Sequence, residues 1–295
     1  MKAAIRGDNG LTFTDVARPV PGADDVLVRV RACALTRADL GMLAGHMHGT
    51  HGGAGTVLGL EWAGEVVECG ANVTHVKPGD RVMGSGKGAF AEYAVADRGR
   101  VSPLPQAAMS FEQAATLPIA LQTMHDALVT NGRLQPGESV LIQGASSGVG
   151  LMALQIAKLM GAAFVIGTST TAARRARLNE FGADLALDSR DADWPAQARA
   201  ATGERGVDLI VDQLSGGAAN QNLAAAALCA RNVNVGRLAG TRAEFDFDLH
   251  ALKRIHYIGV TFRTRTVDEV RRINELMLAD LWPHLQSGAL PLCAP

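Results

Sequence analysis

The sequence predicts a two-part α/β chain: a mainly antiparallel β unit followed by a doubly wound parallel sheet. Three observations carry that expectation. Through roughly the first third of the chain, short apolar runs are bounded by Gly, Asp and a Pro-Gly turn. Beyond Pro136, strand-like and helix-like segments alternate regularly. At the first strand-to-helix junction stands the string Gly144-Ala145-Ser146-Ser147-Gly148-Val149-Gly150. A length of 295 residues is enough for two ordinary domains. With 47% hydrophobic and 19% charged residues the chain is globular rather than disordered. A net charge of −1 gives no general pull toward nucleic acid or an anionic membrane, so neither is an expected partner.

Taken in order, "DDVLVRVRACAL" (residues 24–35) alternates valine and arginine with the period of a half-buried strand. "EWAGEVVECG", "GDRVMG" and "GAFAEYAVAD" are further short strand runs, and "KPGDRV" carries a turn. The pattern changes at "SFEQAATL", where Ser110 and Gln113 have capping-box spacing, and two helical segments are separated at Pro118. The predicted strands after that are "SVLIQG", "AFVIGT", "DLALD", "VDLIVD", "RNVNVGR" and "IHYIGVTF", with helices starting near Val149, Thr171, Asp193, Gly216 and Phe247. Units of this length imply a parallel sheet with helices on both faces. The last strand would form an exposed sheet edge, which needs cover. No Arg/Ser-rich leader or charged-then-apolar signal opens the chain. The most apolar helical stretch, "LMALQIAKLMGAAFVIG", is interrupted by Lys158 and by glycines, so a soluble, cytoplasmic protein is expected. Cys33, Cys69, Cys229 and Cys293 form no C-x-x-C pair and read as isolated small hydrophobes.

The glycine-rich string Gly144–Gly150 has a buried strand before it and a helix after it. Small residues let the backbone turn tightly and approach a pyrophosphate, and the helix N-terminus offers free N–H groups. The next strand ends in "VIGTSTTAARRARL". An acid at its end would bind the ribose 2′-OH of NAD. Ser169 stands there instead, with Arg174 and Arg175 following. A 2′-phosphate can pair with a guanidinium, so NADP(H) is the expected cofactor, and Arg174 is favoured over Arg175.

The β-rich unit, then "GLEWAGEV", then "KPGDRV", then this nucleotide-binding pattern, resembles the medium-chain dehydrogenase/reductase superfamily over nearly the whole chain. The subgroup it looks most like is the zinc-independent quinone oxidoreductases, which "GVTFRTRTVDEV" also fits. The resemblance implies a GroES-like catalytic domain over residues 1–116, with residues 266–295 returning toward it, and an NADP(H)-binding Rossmann domain over 117–265. It also implies a closing segment beyond "LQSGALP", which this sequence lacks, and hence a shortened or truncated catalytic domain. In zinc-dependent members, ligands stand where this chain has Thr36, Leu60 and Ile119, and the proton-relay hydroxyl stands where it has Ala38. The cysteine-rich lobe of a structural zinc is also absent, so no metal is expected, and Glu61 reads as a fold marker with hydrogen-bonded partners. The loop "HMHGTHGG" offers His46, His48 and His51. It is read as binding metal adventitiously or not at all, with one histidine a possible substrate contact. By resemblance the nicotinamide meets Thr123 and backbone near Leu214, Val235 and Gly236. Thr36 reaches substrate or nicotinamide, and Phe262 and Arg263 cover the reactive end. The resemblance also implies that the edge formed by the last strand pairs across a two-fold axis, so a homodimer is expected.

Hydride transfer to a simple carbonyl leaves an alkoxide nearly as basic as hydroxide, whose parent water has a pKa of about 15.7. A hydroquinone is phenol-like, with a pKa of roughly 10 by analogy with tyrosine. The gap is worth on the order of 7 to 8 kcal/mol at about 1.36 kcal/mol per pKa unit. A site without a metal can therefore reduce a quinone with modest help, by direct hydride transfer, with water completing protonation. The expected activity is NADPH-dependent quinone reduction. Two alternatives stay open: an enoyl or 2-alkenal reductase, and a catalytically weak NADPH-binding redox sensor or partner-binding protein.

Overall fold

The computed structural model describes residues 1–8 and 10–290. The chain divides into two compact units, residues 1–119 with the segment from Phe262 onward, and Ala120–Thr261. Residues 291–295, the end of the segment expected to return to the first domain, with Cys293, lie outside the described residues.

The first unit begins with the antiparallel pair β1 (Lys2–Gly7) and β2 (Gly10–Asp15). It continues through β3 (Asp25–Cys33), α1 (Arg37–Leu43), β4 (Glu61–Cys69), β5 (Arg81–Ser85), β6 (Tyr93–Asp97), β7 (Val101–Pro103) and α2 (Phe111–Ala115). Among the described residues, β3 to β7 form one antiparallel sheet in the order β6-β3-β4-β5-β7. Val26, Val28, Trp62, Val82, Ala94 and Val101 fill one side of it. The alternation expected along β3 holds only from Arg29 onward, because Val26, Leu27 and Val28 are all buried. There α2 packs against β3 and β4, so both faces are covered. The capping box at Ser110 and Gln113 closes reciprocally, with N···O distances of 3.1 and 3.2 Å. Pro118 opens α3 (Pro118–His125), which runs on into a π-helical turn over Asp126–Asn131.

The second unit alternates β8 (Ser139–Ile142), α4 (Gly148–Leu159), β9 (Phe164–Thr168), α5 (Ala172–Arg175), β10 (Leu185–Leu187), α6 (Trp194–Ala201), β11 (Val207–Asp212), α7 (Ala219–Ala225), β12 (Ala226–Asn234), α8 (Phe247–Lys253) and β13 (His256–Gly259). Its strands are all parallel, in the order β10-β9-β8-β11-β12-β13. The order reverses between β8 and β11, the switch point at which open α/β sheets bind ligands. Leu141, Ile166, Trp194, Ile210 and Leu223 anchor the core. The Lys253 ammonium donates to the carbonyls of Leu223, Ala224 and Ala226 at 2.8 Å each, closing the C-terminus of α7.

Two elements differ from expectation. Helix α5 has only four residues and gives way to a 3₁₀ turn over Leu178–Phe181. Strand β12 begins well before "RNVNVGR": Val207 pairs with Ala226, whereas Leu209 pairs with Arg231, and the extra residues bulge outward. At that bulge Cys229 has φ +61° and is exposed. Cys33 is also exposed, so neither thiol is the buried small hydrophobe expected.

Helix α9 (Val267–Ser287) begins at a third capping box, Thr266 with Glu269. Arg271 holds it to the first unit through a bidentate pair with Asp97, at 3.0 and 2.7 Å. Gln106 adds a bond to the Leu285 carbonyl at 2.8 Å. Among the described residues no helix is long and apolar enough to cross a membrane.

Candidate functional site

At the C-terminal end of β8 the chain makes the glycine-rich turn and enters α4. Ser147 is the N-cap, its hydroxyl accepting from the Gly150 N–H at 3.0 Å and donating to the Gly144 carbonyl at 3.0 Å. A Cβ on Gly150 would lie 2.6 Å from the Gly144 oxygen and 2.7 Å from Ala145 backbone atoms, so only glycine lets helix and turn pack this closely. Gly148, at the start of the helix, faces open space.

Beneath the turn lies a buried polar chain that sequence reasoning missed. The Gly144 N–H donates to the Thr168 hydroxyl at 3.1 Å. Thr168 donates to Gln143 Oε1 at 2.7 Å, and Gln143 Nε2 donates to Asn222 Oδ1 at 2.7 Å. All three side chains are fully buried. Gln213, past the end of β11, donates to the Gln143 carbonyl at 3.0 Å and accepts from Ser147 at 3.2 Å. Four elements thus hold one loop, and satisfied networks in a dry interior are stiff.

The end of β9 carries Ser169, which is buried and donates to the Ser146 hydroxyl at 2.9 Å. Arg174 is exposed, and its guanidinium makes no hydrogen bond or ion pair with the described residues. Arg175 is engaged: its Nη1 donates to the Ser169 carbonyl at 2.9 Å and pairs with Asp188 at 3.1 Å. On the other side of the switch point, the loops after β11 and β12 are tied together. Asp212 accepts from the Leu214 and Ser215 N–H groups at 2.8 and 2.9 Å. Its carbonyl accepts from Val235 and Gly236, and Ala239 donates to the Leu214 carbonyl. Burial pushes the Asp212 carboxyl upward against those hydrogen bonds. The structure therefore brings Gly144–Gly150, Ser169, Leu214, Val235 and Gly236 around one end of one sheet. Thr123 on α3 is half-buried, and its hydroxyl has no partner among the described residues.

The remaining expected site residues belong to the first unit. Thr36 is the N-cap of α1 and donates its hydroxyl to Asp39 Oδ2 at 2.7 Å, while accepting from the Asp39 N–H. One acceptor lone pair is left for a ligand. Asp39 was not anticipated. It is 5% exposed, and burial raises its pKa against the hydrogen bonds from Thr36. Glu61 accepts from the Ile119 N–H at 2.9 Å. Burial first, with the nearby Asp39 charge adding, pushes its carboxyl up to about 8. His48 and His51 close a tight turn through backbone bonds of 2.7 and 3.1 Å. A Cβ on Gly49 would lie 2.6 Å from the Arg263 carbonyl oxygen, which places this loop against Arg263. Burial, then the Arg263 charge, depresses the His48 pKa. Phe262 is half-buried, Arg263 is exposed and His46 is exposed.

A zinc ion has no fitting donor set at the three resembling positions: Leu60 and Ile119 offer hydrocarbon, and the Thr36 hydroxyl is committed to Asp39. Among the described residues no group of three or more His, Cys, Asp or Glu is placed to hold a metal ion. A dinucleotide does fit the second unit, since Gly150 lets the turn close onto α4 and Gly148 leaves open space at the α4 N-terminus.

Comparison with known proteins agrees with this architecture. Residues 22–106 match the family model described as an alcohol dehydrogenase GroES-like domain, and residues 148–279 the one described as a zinc-binding dehydrogenase. The human quinone oxidoreductase is 31% identical over 261 residues, covering 88% of this chain and 78% of that protein. The mycocerosic acid synthase-like polyketide synthase of Mycobacterium tuberculosis is 30% identical over 286 residues, 96% of this chain. The chain spans 13% of that synthase, and 10% and 8% of two further polyketide synthases that it matches. The crystal structure of the Pseudomonas syringae pv. Tomato DC3000 quinone oxidoreductase superposes with a TM-score of 0.86 at 26% identity, covering 99% of this chain and 90% of that one. The chain belongs to the medium-chain dehydrogenase/reductase superfamily, in its quinone oxidoreductase-like branch.

Proposed function

We propose that this oxidoreductase binds NADP(H) and reduces a quinone or a similar delocalised acceptor without a metal. The observation that carries the reading is the combination of a dinucleotide turn with Thr36, Leu60 and Ile119 where zinc-dependent members have ligands. In this reading residues 117–265 form the NADP(H)-binding domain, and residues 1–116 with 266–295 the catalytic one. The chemistry such a cofactor brings is a hydride equivalent. The chain supplies position. Backbone N–H groups at the start of α4 take the pyrophosphate, and the free guanidinium of Arg174 takes the 2′-phosphate. The unpartnered Thr123 hydroxyl and the backbone at Leu214, Val235 and Gly236 orient the nicotinamide. Thr36 offers its remaining lone pair to the nicotinamide amide or to substrate. Phe262 and Arg263 cover the reacting end, and water completes protonation of an anion that needs little help.

Calorimetric titration with NADPH and NADH side by side tests the cofactor. Tighter NADPH binding is expected, and Arg174→Ala should weaken NADPH by roughly ten- to hundredfold while leaving NADH unchanged. Equal affinity for both dinucleotides would remove the argument. The polyketide synthase relatives favour a second reading, an enoyl or 2-alkenal reductase, since conjugated reduction also leaves a delocalised anion. Steady-state NADPH turnover on simple quinones against conjugated enones separates the two.

A homodimer is part of the proposal. Strand β13 is a sheet edge whose His256, Tyr257 and Gly259 are exposed, with exposed Phe247 and Leu252 on the neighbouring α8. Light scattering at micromolar concentration should give twice the 30.8 kDa chain mass, and a monomeric mass would refute it. The free, exposed Cys33 and Cys229 suit a reducing compartment such as the cytoplasm.

A further inference from the structure

We propose that Arg175 sets dinucleotide preference indirectly: it neutralises Asp188, a carboxylate that would otherwise repel the 2′-phosphate received by Arg174. This rests on the NADP(H) reading above. No acid ends β9, which is the usual place for one that selects a free ribose hydroxyl. The fold nevertheless brings a carboxylate beside that position from the next strand. Ser169 N–H donates to the Leu187 carbonyl at 3.0 Å, so Asp188 follows directly on a residue in backbone contact with Ser169. Ser169 in turn touches Ser146 of the phosphate turn.

Asp188 is held by two arginines of different character. Arg190 meets it at 3.2 and 3.3 Å, but its side chain is 68% exposed. Arg175 meets it at 3.1 Å, and its side chain is 22% exposed. The same Nη1 of Arg175 donates to the Ser169 carbonyl at 2.9 Å, which ties the guanidinium to the end of β9. Hydrogen bonds from Arg190, then the Arg175 charge, keep the carboxyl below its ordinary range, so it is ionised at neutral pH. Removing Arg175 leaves an ionised acid next to Ser169, held by the Arg190 backbone N–H and balanced in charge only by the solvated Arg190 guanidinium. Arg174 and Arg175 therefore have different tasks: one pairs with the phosphate, and the other cancels a charge that would reject it.

The test is calorimetric titration of NADPH and NADH into wild type, Arg175→Ala, Asp188→Asn, the Arg175→Ala/Asp188→Asn double variant, and Arg174→Ala with and without Asp188→Asn. Arg175→Ala should weaken NADPH roughly tenfold, the size of one half-screened charge at contact range, and leave NADH within about twofold. The Arg175→Ala/Asp188→Asn protein should recover NADPH affinity to within about threefold of wild type. Asp188→Asn added to Arg174→Ala should recover nothing comparable, because the phosphate partner itself is gone. Retained NADH affinity shows that each variant is folded. An Arg175→Ala/Asp188→Asn protein as weak as Arg175→Ala would overturn the proposal and make Arg175 a direct ligand, as would an Arg175→Ala protein with wild-type NADPH affinity. Wild type binding both dinucleotides equally would instead sink the NADP(H) reading beneath it.

Discussion

Glu61→Gln is expected to be more stable than wild type at alkaline pH and nearly equal to it at pH 5. The cause is the buried carboxyl on β4, raised from 4.5 to about 8 in the fold. Because the folded value lies above the unfolded one, the folded chain keeps a proton that the unfolded chain has released between those two pH values. Stability therefore falls as pH rises through this window, by roughly 1.4 kcal/mol per pH unit and on the order of 5 kcal/mol in all, then levels off above pH 8. Asp39, also raised by burial, contributes with the same sign over its own window in both proteins. Glutamine keeps an oxygen for the Ile119 N–H and cannot ionise. Urea midpoints at pH 5, 7 and 9 should show the two proteins diverging by roughly 3 to 5 kcal/mol. Parallel pH slopes for both would refute the assignment.

The second large effect is expected at Gly150. A methyl group there meets the Gly144 oxygen and Ala145 backbone at 2.6 to 2.7 Å, and backbone cannot step aside as a flexible side chain would. Gly150→Ala should therefore displace the turn. The overpacking cost is about 1 to 3 kcal/mol, offset by up to about 1 kcal/mol of helix propensity. Dinucleotide affinity should fall, because the displaced turn no longer presents the α4 N–H groups to the pyrophosphate. Gly148→Ala is the control, since its Cβ meets nothing within 4 Å. Thermal melting of the free proteins should show a loss for Gly150→Ala and none for Gly148→Ala. Equal melting losses would mean that close packing at Gly150 is not what shapes the turn.

The parts of this molecule that were legible in sequence are those set by local chemistry. Ser110 with Gln113 announced α2, Pro118 opened α3, and the glycine string marked the turn between β8 and α4. The six parallel strands followed from apolar runs of strand length. What stayed hidden depends on partners distant in sequence. Asp39 has capping spacing from Thr36, but its burial comes from the surrounding fold. Asp188 ends a different strand from the one that carries Ser169, so no window around Ser169 contains it. Cys33 and Cys229 read as apolar residues yet sit outside the core, one at a strand end and one on a bulge that no periodicity encodes. Gln143 did leave a trace, a polar residue closing an otherwise apolar strand, although only the fold shows its partners.

The Thr168–Gln143–Asn222 chain also bears on how this sequence can drift. Each side chain bonds to the next, and the last link ends at the backbone of the phosphate turn. Replacing one member strands its neighbours in a dry interior, and exchanging the whole trio for hydrocarbon still removes the acceptor of the Gly144 N–H. Descendants should therefore change these three positions together, and any route that gives up Thr168 must also supply the Gly144 N–H with a new acceptor.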